Sequence, residues 1–153
     1  MVQILIVMAI VVLDRVTKHY AITYLKDIES IEIVKGVFSL TYVENRGAAF
    51  GILQNQRWFF IVLTIIVSMG IVYYIFTQSN LDTLLRISLS MILGGAIGNL
   101  IDRIKFGYVV DMLHFTLIDF PVFNVADCFV VTGTILLALY TLFIADKPMK
   151  EVI

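Results

Sequence analysis

The chain has 153 residues, a length that fits one domain over residues 1–153. Of these residues 60% are hydrophobic, and the mean hydropathy of +0.97 is well above that of soluble domains, which favours an all-α integral membrane protein. The net charge of −1 gives no reason to expect nucleic acid. Two histidines and one cysteine exclude a Cys/His metal framework and an intramolecular disulfide.

Four stretches are long and apolar enough to be transmembrane helices, at about residues 3–24, 58–77, 82–102 and 121–144. The first has no basic residues before its apolar run and no small-residue cleavage site after it. It is therefore interpreted as a retained transmembrane helix and not as a signal peptide. The segment 25–57 alternates apolar and polar residues around Lys35-Gly36, which predicts two short strands. These strands would form a small interfacial β-element between helices one and two.

Polar residues gather at one end of the predicted bundle. Consecutive spans alternate in direction, so spans one and three end on the side where span four begins. The residues concerned are Asp14, Lys18, Asn99, Asp102, Arg103, Asn124 and Asp127. Lysine and arginine are also more frequent on this side, and the positive-inside rule would place it in the cytoplasm.

Asp127 is the least expected of these residues because it lies about 9 Å into an apolar helix. A charge at that depth is costly and should face the bundle or water, with Asn124 on the same helix face. Asp111 lies in the preceding loop, which could fold back against Asp127. Two adjacent carboxyls share a proton, as acid–base peptide hydrolysis requires. Alternatively, Asp111 caps the fourth helix or pairs with an arginine.

Other polar residues have simpler interpretations beside the functional ones. Asp14 and Lys18 have the spacing of an ion pair on one helix turn. Arg103 either neutralises Asp102 or binds a substrate carbonyl or a lipid headgroup. Gly47, in the stretch ENRGAAFG, either lets an extended peptide approach the backbone or belongs to a plain turn.

Two further features are expected to serve packing. Gly94 and Gly98 form a small-residue motif that lets helices approach closely. Cys128 is expected to pack as a small hydrophobe.

Two other classes of protein fit the composition. Intramembrane carboxylates are typical of a proton-coupled transporter, although the chain shows no internal repeat. A non-catalytic scaffold that assembles through Gly94 and Gly98 is the second alternative.

Five motifs in order resemble the lipoprotein signal peptidase family, signal peptidase II. They are DRVTK (14–18), ENRGAAFG (44–51), GGAIGNLIDR (94–103), VVDML (109–113) and FNVADCF (123–129). The resemblance implies a membrane aspartic endopeptidase that removes the signal peptide from prolipoproteins by cleaving before a diacylglyceryl-modified cysteine. It also implies no metal or cofactor.

The resemblance assigns roles to particular residues. Asp111 and Asp127 correspond to the catalytic pair. Substrate-binding or supporting positions are assigned to Asp14, Lys18, Asn45, Gly47, Asn99, Asp102, Arg103 and Asn124. Two residues depart from the family pattern: Arg15 stands where glutamine is common, and Met112 where an aromatic residue is common.

The resemblance also predicts a location and partners. It implies a multi-pass protein of the bacterial inner membrane, with the active site on the extracytoplasmic side and both termini in the cytoplasm. This orientation is opposite to the one that the charge count favours, and we adopt it because functional arginines bias that count. The expected partners are diacylglyceryl-modified prolipoproteins and membrane lipid, and the expected state is a monomer.

Overall fold

The computed structural model describes residues 2–47, 52–78, 80–118 and 120–145. Its elements, in chain order, are α1 (Val2–Tyr24), β1 (Ser30–Val34), β2 (Phe38–Asn45), α2 (Arg57–Thr77), α3 (Thr83–Lys105), β3 (Val109–Phe115) and α4 (Val125–Phe143). The chain is therefore mostly helical and carries one small sheet.

The four helices coincide with the four predicted spans, and they differ in how apolar they are. Among the described residues, α2, α3 and α4 are long and apolar enough to cross a membrane. Helix α1 has a similar length, but it carries Asp14, Arg15 and Lys18. By length and composition α2, α3 and α4 can cross a membrane, whereas a crossing by α1 would require its charges to be paired inside the bundle.

The predicted ends of two helices differ from those in the structure. Helix α4 begins four residues later than predicted because Asn124 caps it: its side chain accepts a hydrogen bond from the backbone N–H of Asp127. Helix α3 continues three residues beyond 102, to Lys105. Gly107 then reverses the chain with a φ of +85°.

Helix α3 is the centre of the bundle, and α1, α2 and α4 each pack against it. Its glycines make this possible. A Cβ on Gly94 would lie 3.0 Å from the side chain of Ile10 on α1, and one on Gly98 would lie 2.7 Å from a carboxylate oxygen of Asp14. The predicted packing role of Gly94 and Gly98 is confirmed, and the helix that they approach is α1.

The sheet has three strands, in the order β1-β2-β3, and both pairs are antiparallel. The first two are the predicted strands around Lys35-Gly36. The third strand, VVDMLHF, lies in the segment before α4 that was predicted as loop. It pairs Val43 with Asp111 and Asn45 with Val109.

Alternation along β3 separates its two faces. Val110 and Met112 are buried against Ala21 and Leu25 at the end of α1. Asp111, between them, points to the opposite face. Met112 therefore belongs to the packing between sheet and helix, which explains how this departure from the family pattern leaves the site unaffected.

Candidate active site

Asp111 and Asp127 lie on the wall of one cavity of about 780 Å³. Asp111 comes from β3 and Asp127 from the first turn of α4. The cavity is also lined by Asn45, Gly47, Asn99 and Arg103. The loop before α4 does fold back, as the pairing of the two carboxylates requires, and it does so as a strand of the sheet.

The Asp111 carboxylate accepts one hydrogen bond on each oxygen. The side-chain amide of Asn45 donates to Oδ2 at 2.9 Å, and that of Asn124 donates to Oδ1 at 2.6 Å. The cap of α4 is Asn124 and not Asp111, and among the described residues no salt bridge joins Asp111 to an arginine. Both simpler interpretations of Asp111 are therefore wrong.

The Asp127 carboxylate is held in the same manner. Its Oδ1 accepts from the amide of Asn99 at 2.7 Å, and its Oδ2 accepts from the backbone N–H of Asn124 at 3.1 Å. Asn124 thus touches both carboxylates and is itself fully buried. One asparagine at the start of α4 sets the position of the two acids relative to each other.

Burial and the neighbouring charge of Asp127 raise the pKa of Asp111 to about 7. Burial is the larger of the two causes, and it raises the pKa by disfavouring the charged form. The side-chain amides of Asn45 and Asn124 oppose this shift by donating to the carboxylate. Near neutral pH the pair therefore retains a proton. This is the state in which one group can act as a base and the other as an acid.

Asp14, Lys18 and Asp102 lie behind this cavity in a buried ionic cluster, which also contains Arg15. Lys18 Nζ is 3.1 Å from Asp14 Oδ2 and 2.9 Å from Asp102 Oδ2. Arg15 also reaches both carboxylates, at 2.9 Å from Asp14 and 2.6 Å from Asp102. The simple ion pair predicted for Asp14 and Lys18 is part of a four-member cluster that joins α1 to α3.

The cluster also fixes the backbone next to each acid of the pair. Asp14 Oδ1 accepts from the N–H of Ala126 at 3.1 Å, and Asp102 Oδ2 accepts from the N–H of Val110 at 3.1 Å. These residues directly precede Asp127 and Asp111. Asp14 and Asp102 are fully buried and do not line the cavity. Their contribution is therefore to position the two segments that carry the acids, strand β3 and the start of helix α4.

Arg103 lines the cavity beside the carboxylates. Its guanidinium lies 4.8 Å from the centre of the Phe60 ring and donates to the carbonyl of Gly47 at 3.3 Å. Since Asp102 is paired with Arg15 and Lys18, the interpretation that Arg103 neutralises Asp102 is wrong. The backbone carbonyl of Arg103 is in turn held by Arg57, at 2.8 Å.

Gly47 lies where the chain approaches itself closely. A Cβ there would meet the carbonyl of Ile52 at 2.7 Å and the side chain of Gln54 at 3.1 Å. Gln54 also lines the cavity. The remaining small residues of ENRGAAFG, at 48, 49 and 51, lie outside the described residues.

Sequence reasoning missed three contributors to the site. Arg15 was regarded only as a departure from the family pattern. Arg57 was counted only among the lysines and arginines of the polar side, and Gln54 was not considered. The prediction for Cys128 was wrong, since its side chain is exposed and lines the cavity. Among the described residues, no group of three His, Cys, Asp or Glu side chains is arranged to hold a metal ion.

Comparison with known proteins identifies close relatives over nearly the whole chain. Residues 6–143 match the family model described as signal peptidase (SPase) II. A lipoprotein signal peptidase of Caldanaerobacter subterraneus is 51% identical, over 92% of this chain and 95% of its own length. One of Clostridioides difficile is 44% identical, over 96% of this chain and 99% of its own.

A solved structure of a bacterial membrane enzyme has the same fold. It superposes with a TM-score of 0.85 at 34% sequence identity. The match covers 97% of this chain and 94% of the other.

Proposed function

The chain belongs to the signal peptidase II family, and on that premise we propose that Asp111 and Asp127 are the catalytic pair of an aspartic endopeptidase. The activity of the family, removal of the signal peptide from prolipoproteins, is the activity of this chain. The observation that carries the assignment is a shared partner: Asn124 is buried and donates to both acids at the wall of one cavity, from its side-chain amide to Asp111 and from its backbone N–H to Asp127.

The pair works with one proton between its two carboxyls. The ionised carboxylate accepts a proton from a water molecule, whose oxygen attacks the carbonyl carbon of the scissile peptide bond. The neutral carboxyl donates its proton to the carbonyl oxygen as the tetrahedral intermediate forms. The carboxyl that gained the water proton then protonates the leaving nitrogen. The other, now ionised, takes back a proton from a hydroxyl of the intermediate as the C–N bond breaks and the new C=O forms, which restores the pair with one proton.

The supporting residues divide into two groups. Asn45, Asn99 and Asn124 donate to the carboxylates, whereas Arg103 and Gly47 lie on the cavity wall where a substrate carbonyl can be bound. Asp14, Lys18 and Asp102 hold the segments on which the acids stand. Within the first group, Asn45, Asn99, Arg103 and Gly47 line the cavity and are close enough to contact substrate, whereas Asn124 is buried behind its wall.

The shape of the cavity favours a substrate with a lipid chain. It continues past Cys128 along α4, where Val130 and Val131 line it, and Val131 is 56% exposed on the outer face of the helix. Acyl chains that reach the cavity from the bilayer would lie along these residues. A diacylglyceryl-modified cysteine would then arrive with its peptide bond at the depth of the two acids.

The membrane arrangement completes the proposal. Residues 1–153 form one membrane-embedded domain, and α1 is the fourth span. Its three charged residues turn toward α3, where Asp14 and Lys18 are almost fully buried. The active site faces the extracytoplasmic side, both termini lie in the cytoplasm, and the enzyme acts as a monomer among membrane lipids.

The test of the catalytic pair is cleavage of a purified diacylglyceryl prolipoprotein by Asp111→Asn and Asp127→Asn variants. Asparagine keeps the shape of the side chain and removes the carboxyl that can accept and donate a proton, so we expect each variant to lose at least about a thousandfold in kcat/KM. Asp82→Asn is the matched control, since Asp82 caps the other end of α3 and asparagine caps equally well. Full cleavage by either folded variant of the pair would refute the assignment.

A further inference from the structure

Arg15 occupies a place in the buried cluster that its sequence position does not suggest. The cluster contains two carboxylates, from Asp14 and Asp102, whose side chains are fully buried. Lys18 supplies one positive charge from a side chain that is 2% exposed, and Arg15 supplies the second from one that is 27% exposed. With both cations present the cluster is neutral, whereas Lys18 alone would leave one uncompensated buried charge.

Besides its contacts with the backbone of Ala126 and Val110, the cluster reaches a carboxylate of the catalytic pair through the side-chain amide of Asn99. Lys18 Nζ donates to Asn99 Oδ1 at 2.8 Å, in addition to its contacts with Asp14 and Asp102. Because the oxygen of Asn99 is committed to Lys18, its NH₂ group must point the other way, toward Asp127 Oδ1 at 2.7 Å. The ammonium group of Lys18 thus sets the direction in which Asn99 donates, together with the Asn124 amide, which donates to the same oxygen at 3.2 Å.

Arg15 makes this division of Lys18 possible. Its guanidinium binds the Oδ2 of Asp14 and the Oδ1 of Asp102, and it also donates to the carbonyl of Gly98 at 3.3 Å. Lys18 is therefore not required to satisfy two carboxylates by itself. It retains one donor for Asn99.

We propose that Arg15 is a positioning residue of this enzyme, which neutralises the buried cluster and thereby keeps Lys18 on Asn99 and tunes the pH range in which the catalytic pair works. The proposal rests on the assignment of Asp111 and Asp127 as that pair. Arg15 itself does not line the cavity, so it acts through Lys18 and Asn99 and not through the substrate.

The sign of the effect follows from the charges around the pair. Among the described residues, the charged or titratable side chains that face the pair or lie behind it are Asp14, Arg15 and Lys18 on α1, Asp102 and Arg103 on α3, Glu44 on β2 and the Cys128 thiol on α4. Loss of the Arg15 charge makes this set more negative by one unit. A more negative surrounding favours the protonated form of a carboxyl, so both limbs of the pH–activity profile should move to higher pH.

The experiment compares the pH dependence of kcat/KM for the purified wild-type enzyme, Arg15→Gln and Arg15→Lys, from about pH 5 to about pH 9. For Arg15→Gln we expect both limbs to move upward by a few tenths of a pH unit to about one unit, the size expected of one partly screened charge. Arg15→Lys keeps the charge and should retain the wild-type profile. An unshifted profile for Arg15→Gln, with or without a uniform loss of rate, overturns the proposal.

A second pair of variants covers the case in which Arg15→Gln does not fold. Asp102→Asn removes one negative charge and should move both limbs to lower pH. The double variant Arg15→Gln/Asp102→Asn restores neutrality and should return to the wild-type positions. Limbs that do not move in Asp102→Asn contradict the proposal, whereas an error in the catalytic assignment appears separately, as retained cleavage by Asp111→Asn or Asp127→Asn.

Discussion

The asparagine side chains around the two acids are oriented without ambiguity, because each has its oxygen committed. Asn45 Oδ1 accepts from the N–H of Gly47, Asn99 Oδ1 from Lys18, and Asn124 Oδ1 from the N–H of Asp127. All three NH₂ groups therefore donate to carboxylates, and each of the four carboxylate oxygens accepts one N–H. The pair is held in place before substrate arrives, which reduces the reorganisation that the reaction requires.

The raised pKa of Asp111 predicts a pH dependence of stability as well as of activity. A carboxyl whose pKa is higher in the folded state stabilises the fold fully below its unfolded pKa of about 4, and this stabilisation is lost as pH rises to about 7. Asp111→Asn removes the titrating group. We expect its Tm, relative to that of the wild type, to increase as pH rises across this interval.

Thermal unfolding in detergent at a series of pH values measures this difference. The expected change is of the order of a few kcal/mol in the free energy of unfolding, because one unit of pKa shift corresponds to about 1.4 kcal/mol. Asp82→Asn, at an exposed position, should follow the wild type at every pH. A constant difference between Asp111→Asn and the wild type would contradict the prediction.

The roles of single residues were predictable only where a motif carried them. Asp111 and Asp127 were assigned through the family motifs, and the structure brings both to one cavity. The role of Arg15 was not predictable, because its contact with Asp102 depends on how α1 is rotated against α3. A hydropathy pattern determines which face of a helix is apolar. It does not determine which of three neighbouring charged residues forms a salt bridge with a residue on another helix.

Close approach of helices α1 and α3 predicts that Gly98 tolerates no side chain. A Cβ there would lie 2.7 Å from Asp14 Oδ2 and 3.2 Å from Ala126 Cβ. The Asp14 carboxylate cannot yield easily, since it is bound to Lys18, Arg15 and the N–H of Ala126. We expect Gly98→Ala to lower the free energy of unfolding by about 1–3 kcal/mol and to reduce kcat/KM.

Gly70→Ala is the matched control for this change. Gly70 lies in the middle of α2, and a Cβ on it would have nothing within 4 Å. Alanine favours the helix there by up to about 1 kcal/mol, so cleavage and stability should be unchanged or slightly improved. Equal effects of the two substitutions, measured by thermal unfolding and cleavage, would show that contact with Asp14 is not the cause.

Elements were predicted well where hydrophobicity alone decides them. All four helices appear at the predicted places, because about 20 apolar residues in a row have few alternatives in a bilayer. The start of α4 was misplaced because Asn124 decides it through a hydrogen bond and not through hydropathy. Strand β3 was missed because its pairing partner, β2, lies more than 60 residues earlier in the chain.

At the scale of the whole molecule, the membrane bundle and the sheet meet at the ionic cluster. Asp14 and Asp102 accept backbone N–H groups from Ala126 and Val110, so helices α1 and α3 hold both the start of α4 and the strand β3. The buried charges of α1 are therefore compatible with a span of the membrane. They attach the segments that carry Asp111 and Asp127, and they face the interior of the bundle.

The proposed orientation in the membrane predicts from which side the cavity is reached. Cys128 is the only cysteine of the chain, is exposed and lines the cavity beside Asp127. If the cavity opens on the extracytoplasmic side, a membrane-impermeant maleimide should label Cys128 in intact spheroplasts. A cysteine at the exposed Asn80, in a Cys128→Ser background, lies at the opposite end of the bundle and should be labelled only after permeabilisation. The reverse pattern would place the site in the cytoplasm, as the lysine and arginine count favours.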